Sequence, residues 1–157
     1  MSALAQWLGT QDGGGGRAAA DAQDRAAAIE SRYGLRIPGD FRRFLIEAPL
    51  AEELTDEAGT SWWPLARIRS LPEEYGHEIA SPAIAAEAGA YLFFADYLCW
   101  CWAWAVCCSD GPNRRRVALI GGPDDFVAES FLEVAERYLR DPYGMANAVP
   151  RRREEQA

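Results

Sequence analysis

The clearest pattern in this chain lies in the segment Tyr97-Leu98-Cys99-Trp100-Cys101-Trp102-Ala103-Trp104-Ala105-Val106-Cys107-Cys108. Successive side chains of an extended strand point to opposite faces, so alternate residues share a face. One face then collects large side chains, which are Leu98, Trp100, Trp102, Trp104, Val106 and Cys108. A helix would instead spread the three tryptophans around most of its surface. The stretch therefore predicts a central strand that is buried on both faces and anchors the core with tryptophan.

The segments on either side of this stretch predict further strands. The turn-forming run Asp110-Gly111-Pro112-Asn113 leads into the apolar run Val117-Ala118-Leu119-Ile120, which favours an antiparallel hairpin with a longer loop. Residues 91–96 and 62–65 also have strand-like composition, whereas the acidic residues 51–60 predict a solvated loop or a short helix. Together these segments predict a central antiparallel sheet.

Two amphipathic segments near the N-terminus predict a helical hairpin. Residues 17–33 carry apolar side chains at three- and four-residue spacing, and Gly34 ends the pattern; these side chains are Ala22, Ala26, Ile29 and Tyr33. A second helix starts near Pro38 and has an apolar face made of Phe41, Phe44, Leu45 and Ala48. A weaker helical pattern covers residues 67–75.

A last helix is predicted after Asp124 or Asp125, either of which can cap it. Its apolar stripe is expected to cover one face of the sheet and consists of Val127, Phe131, Leu132, Ala135, Tyr138 and Leu139. Asp141-Pro142 is expected to end this helix. The predicted fold class is α+β, with an N-terminal helical hairpin, a central antiparallel sheet built on the tryptophan-rich strand, and a C-terminal helix packed on the sheet.

The length of 157 residues suits one domain with a full core. We expect that domain to span residues 1–148, with a variable segment at 1–16 and a disordered tail at 149–157. The first residues lack the basic flank and apolar run of a secretion signal, and the longest apolar stretch is shorter than a membrane span. The expectation is a cytoplasmic protein that does not engage a membrane.

The charge of the chain argues against some functions. Asp and Glu number 24 against 16 cationic residues, which gives a formal net charge of -8, so the chain as a whole repels nucleic-acid phosphates. All 16 cationic residues are arginine. The absence of lysine excludes Schiff-base catalysis and a phosphate-binding loop that depends on a lysine.

Candidate metal ligands and catalytic groups are few. Cys99 and Cys101, with Cys107 and Cys108, lack the Cys-x-x-Cys spacing of structural zinc sites. Cys99, Cys101 and Cys107 share the small-residue face, where reduced thiols are expected to fill the core. His77 is the only histidine, in the loop-like sequence Tyr75-Gly76-His77-Glu78. We expect no catalytic residue, no cofactor and no metal, although a small hydrolase or metal enzyme that uses His77 and the cysteines remains an alternative.

Taken in order, these segments resemble the SUKH superfamily. The likeness runs over roughly residues 26–142 and depends on order and spacing more than on any sharp motif. Its segments are Ile29-Glu30-Ser31-Arg32-Tyr33-Gly34, Ile37-Pro38-Gly39-Asp40-Phe41-Arg42-Arg43-Phe44-Leu45, Trp63-Pro64-Leu65, Phe93-Phe94-Ala95-Asp96-Tyr97 and Val127-Ala128-Glu129-Ser130-Phe131 with Tyr138-Leu139. Two departures are Pro49-Leu50-Ala51, where many members have an Asn-Gly turn, and the segment through Gly16, which has no clear counterpart.

The resemblance implies a non-enzymatic domain that binds proteins. Most bacterial members are immunity proteins that neutralise a cognate toxin, often a nuclease or a deaminase, and other members are intracellular adaptors or regulators. An acidic surface also speeds association with a basic partner. We therefore expect a basic protein toxin as the partner of a monomer or homodimer, with an adaptor function as the alternative. The expected partner contacts are Glu52, Glu53, Trp62, Glu73 and Glu74.

Overall fold

The computed structural model describes residues 3–12, 18–122 and 124–147. The helices, in chain order, are α1 (Ala3–Asp12), α2 (Ala18–Tyr33), α3 (Gly39–Glu47), α4 (Leu71–Glu74), α5 (Pro82–Ala86), α6 (Phe131–Arg140) and α7 (Pro142–Asn147). The strands are β1 (Leu54–Thr55), β2 (Thr60–Trp62), β3 (Tyr91–Tyr97), β4 (Trp102–Cys107), β5 (Val117–Ile120) and β6 (Asp125–Ala128). The predicted tail at 149–157 and part of the segment 1–16 lie outside the described residues.

The six strands form one antiparallel sheet in which spatial order follows chain order from β1 to β6. The predicted α+β class, the helical hairpin (α2 and α3), the central antiparallel sheet and the C-terminal helix are confirmed. Glu30 ties the hairpin together, because its carboxylate accepts hydrogen bonds from the Ile37 amide at 3.0 Å and from Arg42 Nε at 3.3 Å.

The tryptophan-rich core strand is confirmed as β4, but it begins at Trp102 and not at Leu98. Tyr97 at the end of β3 pairs with Trp102 at the start of β4, so residues 98–101 form the turn between the two strands. The alternating pattern of large and small side chains runs through this turn without interruption. Because no glycine, proline, asparagine or aspartate lies within residues 98–101, the usual turn signals are missing.

The sheet is buried on both faces around β3 and β4. Trp104 on one face of β4 and Ala103 and Ala105 on the other are all buried. A bulge in β3 shifts the register between Phe93 and Ala95. The ring of Phe94 packs on Phe41 of α3, Trp62 of β2 and Phe131 of α6. The ring of Phe93 packs on Trp63 and Trp100. Among the described residues, one hydrophobic core joins side chains from α1 to α7.

The C-terminal helix starts later than predicted. Residues 125–128 form β6, and α6 begins at Phe131 with Ser130 as its N-cap, whose Oγ accepts the Glu133 amide at 3.2 Å. The carboxylate of Asp124 instead accepts hydrogen bonds from the amides of Ala80 and Gly121, each at 2.9 Å. Ser130 is therefore a capping residue at the end of a strand.

The predicted apolar stripe of this helix is also too wide. Leu132 is 50% exposed and Leu139 is 38% exposed, because a helix that lies on one face of a sheet buries only a narrow stripe. The buried stripe consists of Phe131, Val134, Ala135 and Tyr138.

Three smaller predictions differ from the structure, one at Pro142 and two in the segments on either side of β2. Pro142 starts the short helix α7 instead of ending helical structure. The strand predicted at 62–65 ends at Trp62, and a single 3-10 turn follows at Leu65–Arg67. The acidic segment 51–60 contains the short strand β1 and its turn.

The cysteines divide into two pairs with different surroundings. Cys107 and Cys108 are buried, whereas Cys99 and Cys101 lie exposed on the 98–101 turn. The prediction that the thiols fill the core is therefore wrong for Cys99 and Cys101, because both precede the buried strand. Burial raises the pKa of the Cys108 thiol well above its ordinary value of 9.0, which keeps that thiol protonated and unreactive at neutral pH.

We expect two of the four thiols to react in the native protein with an aromatic disulfide reagent at pH 8, and all four after unfolding in urea. Absorbance of the released thiolate measures the count. A Cys99→Ser, Cys101→Ser double variant should lose the native reaction entirely. Rapid native labelling of that variant would show that Cys107 or Cys108 is accessible, which contradicts the described packing.

Candidate functional site

The 98–101 turn has a conformation that L-amino acids disfavour. Leu98, Cys99 and Trp100 have φ angles of 44°, 51° and 70°, and the Cys101 amide closes the turn on the Tyr97 carbonyl at 2.8 Å. A left-handed conformation costs about 1–2 kcal/mol for each residue that is not glycine. Three such residues in succession require strong support from the rest of the protein, and we refer to this segment as the left-handed turn.

The buried carboxylate of Asp96 supplies part of that support. Its Oδ2 accepts a hydrogen bond from the Trp100 amide at 2.9 Å, and its Oδ1 accepts one from Trp63 Nε1 at 2.6 Å. The guanidinium of Arg67 lies 3.7 Å from the same Oδ1. Asp96 therefore joins the end of the left-handed turn to the segment after β2.

The ring of Trp100 supplies the remaining support for the left-handed turn. It stacks on Tyr75 with a centroid distance of 5.6 Å and an interplanar angle of 6°, and it meets the edge of Phe93 at 5.2 Å. The indole Nε1 donates to Glu74 Oε1 at 3.1 Å. With both its backbone amide and its ring held, Trp100 fixes the turn in one conformation.

The left-handed turn presents an apolar side chain to solvent. Leu98 is 52% exposed, and Cys99 and Cys101 beside it are exposed as well. One exposed leucine is unremarkable on a protein surface. An exposed leucine at the tip of a strained and firmly supported turn is different, because backbone strain that the fold maintains is concentrated at functional positions.

A cleft with aromatic and acidic walls opens between α1, the β1–β2 turn, α6 and α7. Its volume is about 350 Å³, and it is lined by Trp7, Thr55, Asp56, Glu57, Ala58, Tyr138, Pro142 and Tyr143. The rings of Trp7 and Tyr138 meet edge to face at 5.4 Å. Glu57 is exposed, and Tyr143 is 55% exposed. We call this feature the aromatic cleft.

Asp56 organises the floor of the aromatic cleft. Its Oδ1 accepts the Thr60 amide at 3.0 Å, and its Oδ2 accepts a hydrogen bond from the Tyr138 hydroxyl. Burial, followed by this hydrogen bond, raises the pKa of Tyr138 well above its ordinary value of 10.0. Tyr138 is therefore a neutral donor to the side chain of Asp56.

The β1–β2 turn connects the aromatic cleft to the left-handed turn. The Leu98 amide donates to the Gly59 carbonyl at 3.0 Å. Gly59 has a φ of +94°, and a Cβ at this position would lie 2.7 Å from Leu98 Cδ2. Glycine is thus required where the two turns meet. The left-handed turn and the aromatic cleft are therefore neighbours on the protein surface. We call the two together the recognition surface; its exposed side chains include Leu98, Glu57 and Tyr143.

The structure rejects one of the predicted partner contacts. Trp62 has no exposed surface, and its ring packs on Phe44, Phe94 and Tyr138. The prediction that Trp62 anchors a partner is wrong, because β2 directs this side chain into the core and leaves nothing for a partner to contact.

Three of the four predicted acidic contacts are engaged within the chain. Glu53 lies 2.6 Å from Arg67, Glu73 lies 3.1 Å from Arg32 and also accepts the Tyr33 hydroxyl, and Glu74 accepts Trp100 Nε1. Glu52 is exposed. Arg67 brings Glu53 and Glu74 together, whereas Glu73 faces α2. A role for these four carboxylates at a partner interface stays a prediction.

The candidate catalytic groups do not converge. His77 is exposed, and its one ring contact among the described residues is an edge-to-face contact with Tyr75. Within the described ranges, no three histidine, cysteine, aspartate or glutamate side chains lie close enough together to hold a metal ion. In the same part of the chain, none of the helices is both long and apolar enough to cross a membrane. The arrangement offers apolar, aromatic and charged contacts to a ligand.

The sequence did not single out Leu98, Trp7, Glu57 or Tyr143, which the fold places at the left-handed turn and in the aromatic cleft. The run Asp56-Glu57-Ala58-Gly59 has the composition of a turn and could have indicated the cleft wall. No local signal marks the left-handed turn.

Comparison with known proteins does not assign the chain to a family. No protein-family model matches it, and searches of curated proteins and of solved structures also find no match.

Proposed function

We propose that this chain is a cytoplasmic, non-enzymatic binding domain that neutralises a basic bacterial toxin by direct contact, as the SUKH immunity proteins that its sequence resembles do. The observation that carries the proposal is the left-handed turn, which holds an exposed Leu98 in a costly and fully supported conformation. An apolar side chain on a backbone that is already fixed requires less ordering on binding, which makes it suited to anchor a protein partner.

The charge of the chain supports a basic partner. A net charge of -8 accelerates the encounter with a cationic surface, and added salt screens this attraction. Glu57 and Asp56 lie next to the left-handed turn, so an apolar anchor and negative charge are presented together. A nuclease or deaminase that acts on nucleic acid carries the complementary positive charge.

The test uses the candidate toxin, which is the protein encoded directly beside this chain in its genome. Co-expression should restore growth, and purified proteins should form a complex that is tighter at low salt. Leu98→Asp is the informative variant, because aspartate tolerates the left-handed conformation better than most residues. We expect this variant to bind about tenfold more weakly, as loss of a central apolar contact does.

Leu132→Asp is the matched control, since Leu132 is 50% exposed and lies on α6 outside the recognition surface. It should bind within about twofold of the unmodified protein, as a substitution outside an interface does. Absence of binding and of rescue at low and high salt would reject the immunity function. Equal weakening by the two variants would reject the left-handed turn as the anchor.

A further inference from the structure

We propose that the aromatic cleft binds the guanidinium group of an arginine side chain supplied by the partner. This inference rests on the proposed function, since it assigns one contact that a basic protein makes with the chain. It concerns the cleft between α1, the β1–β2 turn, α6 and α7, and it does not depend on Leu98.

The walls of the aromatic cleft combine the two features that guanidinium recognition uses. Two aromatic rings, from Trp7 and Tyr143, line the cleft together with the carboxylates of Asp56 and Glu57, while the ring of Tyr138 packs on Trp7 and has no exposed surface. A guanidinium is flat and weakly hydrated, so it stacks on aromatic faces while its edge forms two parallel hydrogen bonds to a carboxylate. An apolar ligand would leave both carboxylates without a partner from the ligand.

The two carboxylates have different tasks. Both oxygens of Asp56 already accept hydrogen bonds from the chain itself, from the Thr60 amide and the Tyr138 hydroxyl, so Asp56 contributes mainly charge and position. Glu57 is exposed and forms no ion pair with any residue that the structure describes. We assign the paired hydrogen bonds to Glu57, because its oxygens are available at the mouth of the cleft.

Size and openness also fit an arginine side chain that arrives on another protein. The cleft volume of about 350 Å³ accommodates a guanidinium and the methylene groups that precede it. Tyr143, at 55% exposure, stands at the rim, where its ring can cover the arriving side chain. A lysine ammonium is a more strongly hydrated point charge and gains less from stacking and from a paired carboxylate.

The test titrates the protein with N-acetylarginine amide and follows the ring signals of Trp7 and Tyr143 by NMR. The citrulline analogue has the same shape without the charge, and the lysine analogue has the charge without the planar group. We expect the arginine compound to shift these signals with an affinity about tenfold above the citrulline compound, as a charge-assisted contact requires, and about threefold above the lysine compound.

Glu57→Gln should weaken arginine binding about fivefold, because it removes the charge and keeps the shape. Glu78→Gln is the matched control, since Glu78 is an exposed acid that does not line the cleft, and it should leave the affinity unchanged. Equal binding of the citrulline or lysine compound, no shift at Trp7 and Tyr143, or an unchanged affinity in Glu57→Gln would each overturn the assignment.

Failure of this assignment is distinguishable from failure of the proposed function. If the neighbouring toxin is neutralised equally by the unmodified protein and by Glu57→Gln, and the arginine compound does not bind, the function stands and the cleft assignment is wrong. If the arginine compound binds as expected and no toxin is neutralised, the cleft assignment stands and the immunity function is wrong.

Discussion

Replacing Trp62 with alanine is expected to lower the free energy of unfolding by about 3–5 kcal/mol, the range for truncating a large buried aromatic side chain. Trp62 is completely buried, and its ring contacts one aromatic residue from each of α3, β3 and α6, which are Phe44, Phe94 and Tyr138. The truncation removes all three contacts and leaves a cavity between the sheet and the helices. Urea unfolding followed by circular dichroism measures the loss.

The Trp62→Ala variant also tests whether Trp62 stabilises the core or contacts a partner. Below the unfolding transition, the folded fraction of Trp62→Ala should bind the proposed partner as the unmodified protein does, because its surface is unchanged. Trp62→Phe keeps most of the apolar volume and should lose less stability than Trp62→Ala. A normal unfolding midpoint combined with weakened binding would restore Trp62 as a partner contact and contradict its burial.

The second large effect is expected at Asp96. Asp96→Ala should lower the free energy of unfolding by about 3 kcal/mol, because the indole N–H of Trp63 and the amide of Trp100 lose their acceptor, and each buried donor without a partner costs about 1–3 kcal/mol. The left-handed turn also loses the bond that holds its end. Urea unfolding measures the stability, and hydrogen exchange of the Trp100 and Cys101 amides measures opening of the turn.

Glu53→Ala is the matched control for Asp96→Ala. Glu53 pairs with the same Arg67 at 2.6 Å, but its side chain is 41% exposed, so its removal should cost under about 1 kcal/mol and leave exchange in the turn unchanged. If Asp96→Ala were as stable as Glu53→Ala and its turn amides stayed protected, the left-handed turn would not depend on the buried carboxylate. The account of Leu98 as a rigidly held anchor would then fail.

The strands and helices that the sequence predicted correctly are those with a local cause. The alternation of large and small residues around Trp104 requires burial on both faces, and β4 is buried in that way. The turn-forming run after Asp110 led to the correct strand at Val117–Ile120. The α2–α3 hairpin follows from apolar spacing, with Gly34 at a φ of +63° ending its first helix.

The errors have one physical cause in common, which is that tertiary contacts outweigh the local sequence pattern. β6 is short and only partly buried, and the sequence pattern of Asp124, just before it, and Asp125, its first residue, is typical of a helix cap. Hydrogen bonds from the Ala80 and Gly121 amides hold Asp124 in a loop instead. Leu132 and Leu139 fit a helical stripe, but the orientation of α6 on the sheet decides which residues of that stripe are covered.

The α+β class, the tryptophan-rich centre of the sheet and the strong negative charge follow from residue spacing and composition alone, because these act locally within each segment. The left-handed turn and the aromatic cleft, by contrast, depend on contacts between segments that lie far apart in the chain. The left-handed turn is disfavoured by its own residues and is selected by partners distant in the chain, such as Glu74, which lies 26 positions from Trp100. The aromatic cleft likewise draws Trp7, Asp56 and Tyr143 from three separate regions. A conformation that local preferences oppose can be chosen only when the rest of the fold supplies the contacts that outweigh them.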